Sequence, residues 1–281
     1  MDLKMFEKTG GIWQKLGGEE IEISTAFSEE QQNSLLQIED DSWWFQYRIG
    51  IIKYFAKRFF KKSEKVYDIG GGNGYTSIRL QKLLWKVVLI EPSIQGCMNA
   101  KKRGVKEVVC CTIDDDCFAE ETTRQVVCLD VLEHIKDDKA FLKRLYHLLD
   151  IDGKVILTVP ADRELWSSND EVAGHFRRYC LRELINKAEE VGFRCIYSNY
   201  YFSFLYLPVK LFRVGFEKVG IIKKRQFRDK NETQKVRDRE FRMPRGIAGR
   251  GLRIIERWEE KKLVKNRKIK RGVSCIVVLE K

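Results

Sequence analysis

The sequence predicts an α/β protein whose core is a doubly wound, mostly parallel sheet. Three observations carry that expectation. Short apolar runs alternate with helical patterns from residue 65 onward, the first run closes on a glycine-rich turn, and acids follow the ends of successive runs. Strands buried on both faces read as continuous apolar segments, and helices between them cover the sheet.

Residues 1–42 are polar with weak periodicity and predict short or loose helices. The pattern then changes to WWFQYRIGIIKYFAKRFF at 43–60, with apolar residues at helical spacing and basic residues between them. That is an amphipathic helix ending near residue 62. Strands are expected at 65–69, 86–90, 107–111, 125–129, 154–159, 193–198 and 273–279. Helices are expected at 74–84, 93–103, 137–149 and 181–191, the last two stopped by Asp-Gly at 152–153 and by Gly192. The connections suit right-handed crossovers. Residues 199–272 fit no minimal fold of this kind and stand as an insertion before the final strand.

With 281 residues, 43% of them hydrophobic, the chain suffices for one α/β domain with additions. The expected layout is an N-terminal helical lid at 1–62, a core at 63–198, the insertion at 199–272 and a last core strand at 273–281. No apolar run follows a basic start, and no uninterrupted run of about 18 apolar residues exists, so neither a secretory signal nor a span is expected. The eight cysteines lack C-x-x-C pairing and only three histidines accompany them, so reduced cytoplasmic thiols are expected and a metal site is not.

The net charge of +12 is concentrated. Residues 223–271 hold 20 Lys and Arg against 7 Asp and Glu, and the rest of the chain is close to neutral. An anionic partner would meet that segment.

The turn itself reads V-Y-D-I-G-G-G-N-G at 66–74. Glycine there permits positive φ and close approach of a ligand to the backbone, and the carboxyl edge of a parallel sheet is where such folds bind nucleotides. Counting from Gly70, a dinucleotide pattern would need a third glycine at the position of Tyr75. The spacing is instead D-x-G-x-G-x-G, with Asp68, Gly70, Gly72 and Gly74. A carboxylate beside the loop repels a pyrophosphate but suits the cationic amino end of an aminoacyl ligand. No Lys-Ser/Thr pair follows, which excludes a Walker loop. Glu91, after the second strand, is placed to accept hydrogen bonds from ribose hydroxyls. Asp114 or Asp115, after the third, could meet an adenine amino group, and Asp130 follows the fourth.

These segments resemble class I S-adenosylmethionine (SAM)-dependent methyltransferases: VYDIGGGNG, LIEPS, TIDDD, CLDVLEHI and GKVILTVP occur in order over 66–159. The resemblance implies SAM as cofactor and a seven-stranded sheet with an antiparallel last strand. It also suggests that Arg48 pairs with the SAM carboxylate. WWFQYR, GHFRRY at 174–179 and GVSCIVVLEK at the end look like the bacterial branch of quinone-biosynthesis and sugar or glycan methylases.

Methyl transfer from a sulfonium needs the acceptor held in line, and orientation alone can supply on the order of 7–11 kcal/mol. A hydroxyl or protonated amine must also lose a proton, which a histidine can accept near neutrality. His134 and His175 are the two candidates; packing against the adenosine is the other role open to His134. Asp170 or Glu171 could orient His175, and Arg177, Arg178 and Tyr179 could bind an anionic substrate group or serve as local salt bridges. Trp43, Trp44 and Tyr47 either cover the pocket or pack a helix on the core.

Residues 197–216, YSNYYFSFLYLPVKLFRVGF, are aromatic and apolar and lead into the basic segment. They form either a substrate cap or a contact with an anionic membrane at its cytoplasmic face. Nucleic acid is the weaker partner, since acids are interspersed and no RNA module is visible. The sequence therefore predicts a methyltransferase acting on a hydroxyl or amine of a small molecule or a lipid- or glycan-linked intermediate. An RNA methyltransferase and a non-catalytic SAM-binding scaffold are the alternatives. No oligomeric state follows from the sequence.

Overall fold

The computed structural model describes residues 6–15, 29–113, 120–215 and 246–281. In chain order the elements are β1 (Phe6–Thr9), β2 (Ile12–Lys15), α1 (Glu29–Glu39), α2 (Trp43–Phe59), β3 (Lys65–Ile69), α3 (Tyr75–Gln81), β4 (Lys86–Glu91), α4 (Ile94–Lys102) and β5 (Glu107–Cys110). There follow β6 (Thr123–Leu129), α5 (Asp138–Leu148), β7 (Leu149–Pro160), α6 (Ser168–Ala173), α7 (Leu181–Glu190), β8 (Arg194–Tyr201), α8 (Tyr206–Pro208), α9 (Gly246–Val264) and β9 (Ser274–Glu280).

The strands form one sheet in the order β1-β2-β5-β4-β3-β6-β7-β9-β8. Strands β5, β4, β3, β6 and β7 are parallel neighbours. β9 enters antiparallel between β7 and β8, as the resemblance implied. Chain order reverses between β3 and β6, the switch point where doubly wound sheets open a crevice.

Both faces of the sheet are buried. In β9, Cys275, Val277 and Leu279 join a core with Leu142 and Leu145 of α5 and Leu184 of α7. Ile276 and Val278 join the opposite core with Ile52 and Phe55 of α2 and Leu80 of α3. That two-sided burial is why the strand sequences are apolar at consecutive positions. α2 starts where Ser42 accepts from the Phe45 amide at 3.4 Å, and its buried stripe includes Ile49, Ile52, Phe55 and Ala56.

The N-terminal region departs from an all-helical lid. β1 and β2 form a hairpin through Gly10–Gly11, and β2 adds in parallel to the edge of β5. Among the described residues the sheet therefore has nine strands rather than seven. Phe6 and Ile12 point into the core from this hairpin while the residues between are largely exposed. Four-residue strands give too short a periodicity to register in the sequence. β7 also begins at Leu149, before the Asp-Gly pair expected to precede it.

Candidate active site

The site lies at the carboxyl ends of β3, β4, β6 and β7. The glycine turn is pinned by two amides, Gly70 and Gly71, that donate to the Ile90 carbonyl at 2.8 and 3.3 Å. Gly72 has φ +52°, and a Cβ there would meet only Gln32 Oε1, at 4.0 Å, so its backbone faces open space. Its amide donates to Glu91 Oε2 at 2.9 Å, and the Ser93 amide donates to Oε1 at 3.0 Å. Ser93 also caps α4 by accepting from the Gly96 amide at 3.3 Å. Strand end, acid and helix cap are thus set within E-P-S at 91–93.

Burial pushes the Glu91 carboxyl up to about 7. Each of its oxygens keeps acceptor capacity beyond the one amide it holds. The carboxylate thus lies at the mouth of a turn whose backbone is open on one side.

Asp68 is placed differently. It is buried below the turn and accepts from Ser77 Oγ at 2.6 Å, tying β3 to α3. Burial raises its carboxyl to about 6, against the lowering effect of the Ser77 hydrogen bond. The Ser77 contact, from the third residue of the helix after the loop, has no local mark in the sequence.

Arg48 is not free to await a ligand carboxylate: it forms an ion pair with Asp130, whose other oxygen accepts from Thr158 Oγ1 at 2.9 Å. Asp130 sits just beyond β6 with φ +55°, an unfavourable conformation for a residue with a Cβ. The Asp114 and Asp115 positions lie outside the described residues.

A polar lid covers the turn from the N-terminal side. Asn73 Nδ2 donates to the Gln32 carbonyl at 2.9 Å and its Oδ1 accepts from Asn99 Nδ2 at 3.0 Å. Glu39 pairs with Arg103 at 2.6 Å. These contacts join α1, the turn and α4 with its C-cap, residues far apart in the chain, and nothing local in the sequence marks them.

Beyond β7 the chain builds a second corner. Asp170 closes the capping box of α6 by accepting from the Ser167 amide at 3.0 Å. After the turn at Gly174, the His175 amide returns to the Asp170 carbonyl at 2.9 Å. The same Asp170 Oδ1 is 2.8 Å from His175 Nδ1 and accepts from Arg178 Nε at 2.8 Å. Burial alone would raise the Asp170 carboxyl, but the His175 hydrogen bond and the Arg178 charge outweigh it and hold it below the usual range.

His134 lies on the 3-10 turn Leu132–His134 after β6, its ring centroid 4.8 Å from that of His175. Burial and the neighbouring His175 lower it to about 4. The structure thus brings both candidate histidines to one place. It adds Glu133, buried, with Oε1 4.0 Å from His175 Nε2. Burial, then Asp130, pushes the Glu133 carboxyl well above its ordinary range. One ligand atom each from Glu133, His134 and His175 lie within 4.8 Å of one another, a grouping able to hold a metal ion that the sequence did not suggest.

The flanking residues expected to touch substrate are otherwise engaged. Tyr179 is fully buried and donates to Asp138 Oδ2 at 2.9 Å. Arg177 pairs with the same carboxylate at 2.8 Å. Arg178 serves Asp170 and the Ala161 carbonyl, at 2.8 and 3.1 Å. All three brace the corner rather than face an acceptor. Trp43 and Tyr47 are buried and Trp44 stacks on Phe202 at 3.8 Å between ring centroids, so this aromatic group packs α2 onto the segment after β8.

A glycine turn, a buried acid at its mouth and a histidine corner across a switch point define an α/β enzyme of the nucleotide-binding kind. The family model for a methyltransferase domain matches residues 44–198, and the chain belongs to that family. The tRNA U34 carboxymethyltransferase of Sulfurimonas denitrificans is 31% identical over 124 residues, 42% of this chain and 41% of that protein. The chain thus matches less than half the length of that relative. Phosphoethanolamine N-methyltransferase 2 of Haemonchus contortus, solved with SAM, superposes with a TM-score of 0.58 at 18% identity, covering 92% of this chain and 58% of that one. The cyclase SpnF superposes at 0.56 with 13% identity over 92% of this chain and 98% of its own. These structures share the fold, and the reactions in their names differ, so the fold does not fix the acceptor.

Proposed function

We propose that the chain is a SAM-dependent methyltransferase acting on a hydroxyl or amine of a small molecule or a lipid- or glycan-linked intermediate. The observation that carries this reading is the placement of the Glu91–Gly72 pair across the sheet's switch point from the Asp170-oriented His175. Glu91 and the Gly72 backbone hold the adenosyl end. When bound, SAM supplies a methyl group already activated by its sulfonium. His134 and His175 are the side chains that activate an acceptor O–H or N–H, and Asp170 fixes the ring of His175. Arg48 with Asp130 supports the floor between the two halves.

The membrane contact belongs to the same reading. Ile247, Ile254 and Trp258 share one exposed face of α9, with Arg250, Arg253, Arg257 and Lys261 also exposed on that helix. Leu207 and Leu211 are exposed on the segment after β8. Apolar side chains among basic ones favour an anionic interface, and a lipid-linked acceptor would be reached there. Among the described residues no helix is long and apolar enough to cross a membrane. The test is labelled-SAM transfer into cell extract separated into lipid, glycan, RNA and small-molecule pools. Label in the lipid, glycan or small-molecule pool is expected; label in none of them would overturn the reading.

The partial identity to a tRNA carboxymethyltransferase favours one other reading, a modification of RNA. Salt-sensitive labelling of the RNA pool would select it, because 20 basic residues at 223–271 would act through phosphate contacts.

A further inference from the structure

Three acids converge near the histidine corner, and two are neutralised by arginine: Asp130 by Arg48 and Asp170 by Arg178. Among the described residues Glu133 has no Lys or Arg at ion-pair distance. It is 1% exposed, and its Oε2 is buried without a hydrogen-bond partner. A buried carboxylate oxygen left so is costly unless something cationic or a donor occupies the space before it. His134 and His175 border that space, with a ligand atom from each of the three residues within 4.8 Å of the others. His175 meets a further condition of a metal ligand. Its Nδ1 is held by the Asp170 carboxylate at 2.8 Å, which leaves Nε2 directed toward Glu133. A carboxylate behind an imidazole in this way fixes the ring and strengthens the far nitrogen as a donor.

We propose that Glu133, His134 and His175 bind one divalent transition-metal ion, whose remaining positions take the oxygen of the methyl acceptor. Two imidazoles and one carboxylate suit manganese, iron or zinc rather than calcium or magnesium, and such a set leaves coordination positions open. Metal–ligand bonds of about 2.0–2.2 Å need the donor atoms about 3–3.5 Å apart, so the group, with 4.0 Å between His175 Nε2 and Glu133 Oε1 and all three atoms within 4.8 Å, must draw together by side-chain rotation when the ion binds.

The catalytic part of the proposal rests on the methyl-transfer reading, while the ion site itself does not. With the ion bound, the histidines act on the acceptor as its ligands and not as bases: the ion acidifies a bound hydroxyl, whose proton leaves to water. The oxygen lone pair forms the new O–C bond as the S–C bond of the sulfonium breaks, and that electron pair stays on sulfur. This selects an oxygen acceptor over an amine.

The full chain, freed of metal with EDTA and gel-filtered, is titrated with Mn2+ and separately with Zn2+. One ion per chain is expected, with 14N coupling in the pulsed EPR spectrum of the Mn2+ form. Glu133→Gln, His134→Ala and His175→Ala should each weaken binding at least tenfold, and each histidine variant should remove part of the 14N coupling. S-adenosylhomocysteine affinity, measured alongside by calorimetry, should stay within about threefold and reports folding. Absence of a stoichiometric ion, or binding unchanged in Glu133→Gln, would overturn the site. Ion binding without homocysteine-nucleoside binding would leave the site standing and remove the cofactor reading instead.

Discussion

Asp170 Oδ1 is shared between His175 Nδ1 and Arg178 Nε, each at 2.8 Å, so one buried oxygen both orients the imidazole and receives the charge that keeps it ionised. Asp170→Asn keeps an acceptor of the same shape but loses the charge. The expected result is a fall in kcat on the order of 10–100-fold, the range seen when a carboxylate behind a ligating histidine is lost, with KM for SAM little changed. Asp170→Ala would in addition strand Arg178, which is 6% exposed, and cost about 3–5 kcal/mol of stability in a urea titration.

Glu91 carries a pH dependence whose sign follows from its surroundings. Burial raises its carboxyl to about 7, so near pH 6.5 much of it is protonated before ligand arrives. Ribose hydroxyls donate to the charged form and pull the value down, so binding releases a proton there. Affinity for S-adenosylhomocysteine should rise as pH increases from 6 to 8. Calorimetry at pH 6.5 in two buffers of different ionisation enthalpy measures the released proton. Glu91→Gln should abolish the release and weaken binding at least tenfold; proton uptake by the wild-type chain would contradict the assignment.

Two glycines of the turn should separate binding from folding. An alanine Cβ at Gly72 meets open space, so Gly72→Ala should fold with a cost of about 1–2 kcal/mol for its φ of +52° and bind cofactor poorly. At Gly74, φ is +74° and a Cβ would lie 2.8 Å from Val105 Cγ2 and 2.9 Å from Ala100 Cβ. Gly74→Ala should lose about 2–4 kcal/mol, strain and overpacking together. Thermal melts with and without S-adenosylhomocysteine distinguish the two effects.

Glu259 fastens α9 to the body. It is fully buried and accepts from the Tyr47 hydroxyl at 2.7 Å and from the Phe202 and Ser203 amides at 2.6 Å each. Glu259→Ala leaves those donors unsatisfied and should cost about 2–4 kcal/mol. Limited proteolysis should then cut preferentially around α9, while Glu260→Ala, on a partly exposed neighbour, should not alter the pattern.

The exposed face of α9 gives a membrane prediction. Vesicles containing phosphatidylserine should float the chain at low salt, and neutral vesicles should not. Ile254→Glu with Trp258→Glu should abolish flotation without lowering the melting temperature, because both side chains are exposed. Equal flotation of wild type and variant would remove the interfacial role of this helix.

How much was legible varied with the range of the interactions involved. The position of Glu91 beside the glycine turn was readable because strand end, acid and the helix start at Ser93 are close neighbours in the chain. Asp68 was assigned to the ligand, yet its partner Ser77 comes from the next helix and turns it inward. Arg177 and Tyr179 looked like an anion site in sequence, but both close on Asp138 at the start of α5. Glu133 drew no attention beside His134, since an acid after a strand is ordinary until its burial is known.

The sequence by itself determined the alternation of strands and helices, the glycine turn with its edge acids, and the placement of charge in 223–271. Each depends on local periodicity, on backbone requirements within a few residues, or on composition. Only the tertiary structure decided that Arg48 meets Asp130, that the first two strands extend the sheet beside β5, and that Glu133, His134 and His175 share one corner. Those contacts arise where crossover connections return distant segments to one sheet edge. Which side chains then face each other depends on register and burial, and neither is written in any single stretch of the chain.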